Sequence, residues 1–285
     1  MHRYCRQLDC NNIRLNCNDN LIAPLVVVEN FVNTGTGTLT VTTAGANVHS
    51  LSLDGNINFT LTNNQVASGV SILAGNDNGD VTLYLHGGSS NQSGTDFIDL
   101  GNGNNFVLDT NAENILFSFG NGNNTVLLIE QSVSGLVSFG NHSQGVTDFV
   151  TLGANLLAGQ NAQVSPNLIT IAGLNNGPNS SDALAFLNDM NNQLVWSNGS
   201  AMNAQVTGIV GDPNNLVNWI HEAQHQANNP HSVSWFQFNG DTYLLETAMG
   251  DVGNHIGDTL VKIVGITHFT GPTGELAIGM LHFLG

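Results

Sequence analysis

Leu100-Gly101-Asn102-Gly103-Asn104-Asn105-Phe106-Val107-Leu108 returns as Phe119-Gly120-Asn121-Gly122-Asn123-Asn124-Thr125-Val126-Leu127, and a decayed third copy opens with Phe139-Gly140-Asn141. The first glycines stand at 101, 120 and 140, offsets of 19 and 20 residues. Each period holds a short β-type run (Phe97 to Leu100, Leu116 to Phe119, Val137 to Phe139), a Gly-Asn corner, and a second run (Phe106 to Leu108, Thr125 to Ile129, Phe149 to Leu152). A unit of this size cannot bury its apolar side alone, so successive units must stack, with glycine making the tight corner and Val107 and Val126 entering the core. The predicted fold is all-β dominated: a parallel β-solenoid or β-roll, followed by a small α+β carboxyl-terminal region.

The same texture extends toward the amino terminus. The runs 37 to 43, Val48 to Leu53, Ile57 to Leu61, Val70 to Leu73 and Val81 to Leu85 are short, β-branched and bounded by turn formers. No proline occurs between Leu25 and Val164, as expected where nearly every backbone N–H is used in a ladder. Thr38, Thr40 and Thr42 read as the threonine face of one strand. The chain divides into an atypical head at 1–20, a solenoid at 21–160 and an α+β cap at 161–285.

The nonapeptide resembles the repeats-in-toxin pattern GGxGxDxUx, which forms parallel β-rolls holding Ca²⁺ between turns. Gly101, Gly103 and Val107 match, as do Gly120, Gly122 and Val126; Leu100 and Phe119 replace the first glycine, and Asn105 and Asn124 replace the ligand Asp. An Asn carbonyl coordinates calcium without adding charge, so these coils bind weakly or rely on Asn ladders. The calcium candidates at the corners are Asn102, Asn104, Asn105, Asn121, Asn123 and Asn124. Nearby carboxylates at Asp77, Asp80, Asp96, Asp99, Asp109 and Asp148 extend the set.

Charge points the same way. The chain of 285 residues carries a formal charge of -17, and its only fixed cations are Arg3, Arg6, Arg14 and Lys262. All but two of the 21 carboxylates, Asp9 and Glu275, fall between Arg14 and Lys262. Such a surface repels phosphate backbones and anionic lipid, which argues against nucleic acid as a partner, and it attracts divalent cations. No run of 18 apolar residues is present, so no membrane span is expected. Cys5, Cys10 and Cys17 are the only cysteines, in spacings that match neither a zinc knuckle nor a redox pair, and they make the head compositionally foreign to the rest. The amino terminus does not read as a classical signal peptide.

Beyond Ala162 prolines return and all three tryptophans appear. Asp212 as N-cap, Pro213 at the first helical position and the stripe Leu216, Ile220, Ala223, Ala227 predict a helix ending before Pro230. Val233 to Phe238, Asn239-Gly240 and Thr242 to Leu245 predict a hairpin with a type I′ turn, with Thr259 to Ile266 as a third strand. The segment from Ser181-Asp182 through Ala-Leu-Ala-Phe-Leu fits a short helix or a strand. Trp235-Phe236-Gln237-Phe238-Asn239-Gly240-Asp241-Thr242-Tyr243 and Asp258-Thr259-Leu260-Val261-Lys262-Ile263-Val264-Gly265 are similar to the carboxyl-terminal region of bacterial surface and S-layer proteins exported by type I secretion. The likeness covers about 60 residues. It implies an extracellular, cell-surface location and an uncleaved carboxyl-terminal export signal ending in Leu281 to Leu284.

His221-Glu222-Ala223-Gln224-His225 satisfies HExxH, and His231 lies ten residues after the first His, as in the metzincin pattern. On a helix, 221 and 225 share a face, so two imidazoles can hold Zn²⁺ while Glu222 acts as general base. Asn228 stands where that pattern has glycine, and the motif follows the roll instead of preceding it. The two His also fall opposite the apolar stripe, where a solvated face accounts for them. The expectation is therefore a non-enzyme: a secreted structural surface protein (S-layer, fibre or sheath subunit) that self-assembles and binds calcium. Zinc protease and monomeric glycan-binding adhesin are the alternatives.

Overall fold

The structure is a computed structural model. It describes residues 3–4, 13–15, 20–23, 30–33, 39–45, 50–66, 69–87, 94–110, 114–128, 134–140, 146–152, 168–175, 182–186, 202–206, 208–226, 232–247, 258–265 and 281–282. Two compact units divide the chain, one of Met1–Leu127 with Ser138–Asp148 and one of Leu128–Val137 with Phe149–Gly285.

The first unit is built from β1 (Arg3–Tyr4), β2 (Ile13–Leu15), β3 (Asn20–Ala23), β4 (Asn30–Asn33), β5 (Leu39–Gly45), β6 (Ser50–Asp54), β7 (Ile57–Val66), β8 (Ser71–Ala74), β9 (Val81–Gly87), β10 (Thr95–Leu100), β11 (Asn105–Asp109), β12 (Asn114–Phe119) and β13 (Asn124–Leu128). Odd strands form one sheet and even strands another, each pairing with the strand two places away in sequence. The strands pair in parallel: Ile98 lies level with Ile72 on one side and Phe117 on the other, and Val107 with Leu83. An even strand, a corner and an odd strand make one coil of a parallel β-solenoid. The head at 1–20, foreign in composition, contributes β1 and β2 to the same parallel ladders.

Alternation along each strand decides what fills the space between the sheets. Leu51, Leu53, Ile57, Phe59, Leu61, Ile72, Leu83, Ile98, Val107, Ile115, Phe117 and Val126 are buried, each worth about 1.5–3 kcal/mol of transfer free energy for a large side chain. Phe119 stacks on Phe139 with centroids 5.3 Å apart and is edge-on to Phe117. The odd positions out are Leu73, Phe97 and Leu116, which face solvent.

The second unit contains β14 (Ser134–Ser138) and β15 (Asp148–Leu152), save Ser138 and Asp148, which belong to the first unit, and β16 (Ile169–Ala172), β17 (Ala183–Phe186), β18 (Met202–Gln205), α1 (Leu216–Gln226), β19 (Ser232–Phe238), β20 (Asp241–Thr247), β21 (Thr259–Ile263) and β22 (Leu281–His282). The segment left open between helix and strand is the strand β17, parallel to β15 and antiparallel to β22. β19 and β20 form the expected hairpin, with Asn239 at φ 53° and Gly240 at φ 85°, both left-handed as a type I′ turn requires. β21 completes an antiparallel trio with β20 and joins β16 in parallel.

α1 starts later than the sequence predicts. Asp212 Oδ1 accepts the Asn214 N–H (2.9 Å), closing a separate turn, and Asn215 Oδ1 takes the Val217 N–H (3.0 Å) as the true N-cap. Trp219 Nε1 donates back to the Pro213 carbonyl across 2.9 Å, tying that turn to the helix. α1 lies on the trio through Ile220 and Ala223, which pack with Phe236, Tyr243, Leu245 and Leu260. Trp219, Phe236 and Tyr243 stack in sequence with centroid spacings of 5.7 and 5.2 Å.

Candidate functional site

Stacked coils bring equivalent corner residues one above another at about 4.8 Å, and the Gly-Asn corners of the first unit become three polar columns. The first is solvent-exposed. Asp80 N–H donates to Asn58 Oδ1 (2.9 Å), Asn104 N–H to Asp80 Oδ1 (2.7 Å), Asn123 N–H to Asn104 Oδ1 (3.1 Å) and Thr147 N–H to Asn123 Oδ1 (2.8 Å). Side-chain amides reinforce two of these rungs, Asn104 to Asp80 and Asn123 to Asn104. The second column, also exposed, runs from Asn78 through Asn102 to Asn121.

The third column is buried. Val81 N–H donates to Asn105 Oδ1 (3.2 Å), Asn105 Nδ2 to Asn124 Oδ1 (2.8 Å), and Asn124 donates both its N–H and its Nδ2 to Asp148 Oδ1 (3.0 and 2.9 Å). Each Nδ2 also reaches carbonyls of its own corner: Asn105 those of Gly101 and Gly103, Asn124 those of Gly120 and Gly122. Three oxygens thus surround an NH₂ group at each of these two rungs. The columns have opposite sense. In the exposed ones the later coil donates to the earlier, and in the buried one the earlier donates to the later.

Closely stacked corners leave no room for side chains on the inner glycines. A Cβ on Gly103 would land on the Gly79 carbonyl oxygen, and one on Gly122 on that of Gly103. Of the expected calcium candidates, the structure therefore brings Asp80, Asn104 and Asn123 into one column, Asn102 and Asn121 into a second, and Asn105, Asn124 and Asp148 into a third. Asn58, Asn78 and Thr147, which extend these columns, were not among the candidates; their equivalent place in the period was the signal that could have found them.

The remaining carboxylates stand apart from the columns. Asp77 is fully buried; its Oδ1 accepts the N–H groups of Ile57 (2.8 Å) and Gly79 (3.1 Å), whereas Oδ2 has no hydrogen-bond partner among the described residues. Burial pushes its carboxyl above the ordinary value, against the lowering effect of the backbone donors, and the Asp54 charge adds to the rise. Asp96, also raised chiefly by burial, accepts the Val70 N–H (2.7 Å) and is hydrogen-bonded to the buried Asp109. Asp99 is half-buried in β10 with its carboxylate against Gly75. Among the described residues no three His, Cys, Asp or Glu side chains form a group able to hold a metal ion.

On α1 both His221 and His225 are exposed, and the buried face is Ile220, Ala223 and Gln224. Glu222 Oε1 accepts a hydrogen bond from Gln226 Nε2 at 2.8 Å, four residues along the same helix. His231 lies outside the described residues. No helix among the described residues is long and apolar enough to cross a membrane.

No family model, curated protein or solved structure matches this chain.

Proposed function

We propose that this chain is a secreted structural protein of the cell surface, an S-layer, fibre or sheath subunit that assembles through its solenoid. The observation that carries this reading is the directional exposed column Asn58, Asp80, Asn104, Asn123, Thr147, in which every coil offers an acceptor on one side and a donor on the other. Such a coil is self-complementary, and parallel strand edges at a solenoid end add to that tendency. The charge of -17 and the resemblance of the corners to repeats-in-toxin sequences support an extracellular setting in which calcium favours the folded form. Calcium is drawn first to Asp77, whose buried Oδ2 lacks a donor and whose neighbourhood includes Asp54. The Asn rungs already satisfy their oxygens with amide N–H groups.

Electron microscopy of the purified chain with Ca²⁺ and with a chelator tests this reading. Ordered fibres or sheets supported by calcium are expected; monodisperse particles under both conditions overturn it. A second reading, a monomeric glycan-binding adhesin, is favoured by the outward trio Leu73, Phe97 and Leu116 beside Asp99, an apolar platform with a carboxylate at its edge. Glycan binding without assembly would select it. Stoichiometric zinc and peptide cleavage, both lost in His221→Ala, would replace either reading with a protease.

A further inference from the structure

α1 buries one face and leaves another to water. Ile220, Ala223 and Gln224 are its buried positions, and Ile220 and Ala223 pack with Phe236, Tyr243, Leu245 and Leu260. His221 and His225 are both exposed. Four residues separate them, so on an α-helix their side chains stand one above the other, with Cβ atoms about 5–6 Å apart. The backbone that spaces them is helical from Leu216 to Gln226, is capped by Asn215, and rests on the stack of Trp219, Phe236 and Tyr243. The helix therefore holds the two imidazoles in a fixed relation before any ligand arrives.

Imidazole nitrogen suits Cu²⁺, Ni²⁺ and Zn²⁺, whereas Ca²⁺ and Mg²⁺ take oxygen. Two imidazoles four residues apart on one helix face can close on a single such ion. Exposed side chains change rotamer readily, so the contacts each imidazole makes in the ligand-free chain do not decide this. Among the described residues no group of three His, Cys, Asp or Glu side chains is formed, so the pair fills two coordination positions and leaves the rest to water. Hydrolysis would further need Glu222 to act on a metal-bound water, and Glu222 Oε1 is engaged by Gln226 Nε2 at 2.8 Å along the same helix. The chain's formal charge of -17 concentrates divalent cations at its surface.

We propose that His221 and His225 form an open surface chelate for one divalent transition-metal ion, which they hold on α1 without hydrolysing peptides. A site with only two protein ligands imposes little geometry of its own, so affinity follows the general order of the metals, with Cu²⁺ above Ni²⁺ and Zn²⁺. A bound ion ties together one turn of the helix on the side opposite its packed face. The site is independent of the assembly reading and of any calcium on the solenoid corners, neither of which uses a nitrogen ligand.

The test uses the full chain with its three cysteines alkylated, so that thiolates do not compete. Equilibrium dialysis against Cu²⁺, Ni²⁺ and Zn²⁺ in turn gives affinity and stoichiometry, and electron paramagnetic resonance of the Cu²⁺ form counts the nitrogen ligands. A site for one ion per chain is expected, with two imidazole nitrogens on Cu²⁺. His221→Ala and His225→Ala should each weaken it by at least about tenfold, the lower end of what even an outer-shell partner costs a metal site. His231→Ala and Glu222→Gln should leave it within about twofold. Near-UV circular dichroism shows whether each variant keeps the Trp219 stack beneath the helix; should an alanine variant lose that signal, His221→Gln or His225→Gln takes its place with the same expectation. Absence of such a site, or a site unchanged in both the His221 and His225 variants, overturns the proposal. An equal loss in His231→Ala overturns it in favour of a three-ligand centre, and metal-dependent peptide cleavage abolished by Glu222→Gln overturns it in favour of a protease.

Discussion

Asn105 donates its side-chain amide to Asn124 Oδ1 across 2.8 Å, from one coil to the residue that occupies the same place in the next. The pair is buried, and each member also satisfies the carbonyls of its own corner. One residue type therefore closes the corner and joins the coils.

Asn124→Ala should destabilise the chain by on the order of 3 kcal/mol, since it removes from the interior both the oxygen that accepts from Asn105 and the amide that serves the Gly122 carbonyl and Asp148 Oδ1. Asn104→Ala, on the exposed column where water can take over, should cost less than about 1 kcal/mol. Urea unfolding midpoints of the two variants at equal m-value check the contrast; equal losses would remove the distinction between the columns.

Gly103→Ala should prevent the corner from forming, because the new methyl group meets the Gly79 carbonyl oxygen, a backbone atom that cannot swing aside. Gly208→Ala, with open space around it, should be tolerated. Soluble yield and far-UV circular dichroism of the two proteins read the difference.

Asp77 makes a pH prediction whose sign follows from its raised carboxyl. Between the ordinary value near 3.8 and the higher native value, the folded state holds a proton that the unfolded chain has released. Its contribution to stability is therefore present at low pH and lost as pH rises through the native value. Asp77→Asn keeps an acceptor for Ile57 and Gly79 and removes the charge, so in chelator the variant should gain stability relative to wild type as pH rises toward 7 to 8 and lose that gain toward pH 4. Denaturation midpoints across this range, compared with wild type, provide the check.

Phe236→Ala should cost about 3–5 kcal/mol and release α1, since the ring is fully buried between Trp219 and Tyr243. Loss of the near-UV signal with the far-UV strand signal retained is the expected result. An unchanged near-UV spectrum would mean that the stack does not hold the helix.

Much of this architecture was legible in the residues alone. Two nonapeptides in register and a proline-free run of short strands dictate stacked coils, because only glycine fits where one backbone passes directly over another. Asn239-Gly240 specifies its turn for an equally local reason, two successive left-handed conformations. The helix start was less legible, since Asp212 and Asn215 both resemble caps and only their hydrogen bonds, to Asn214 and Val217, separate the turn from the helix.

The tertiary structure alone decided what the Asn side chains do. The sequence offers Asn102, Asn104, Asn105 and their counterparts 19 residues on as oxygen donors; stacking turns three of them toward three different columns, one buried and two wet. It also took Gln224, Ser232, Ser234, Thr247 and Asp258 out of water, and joined the first to the last across 34 residues. No local pattern announces that set, because each residue is an ordinary polar position in its own strand or helix. Their burial follows from long-range pairing, which places positions from α1, β19, β20 and the start of β21 on one covered face.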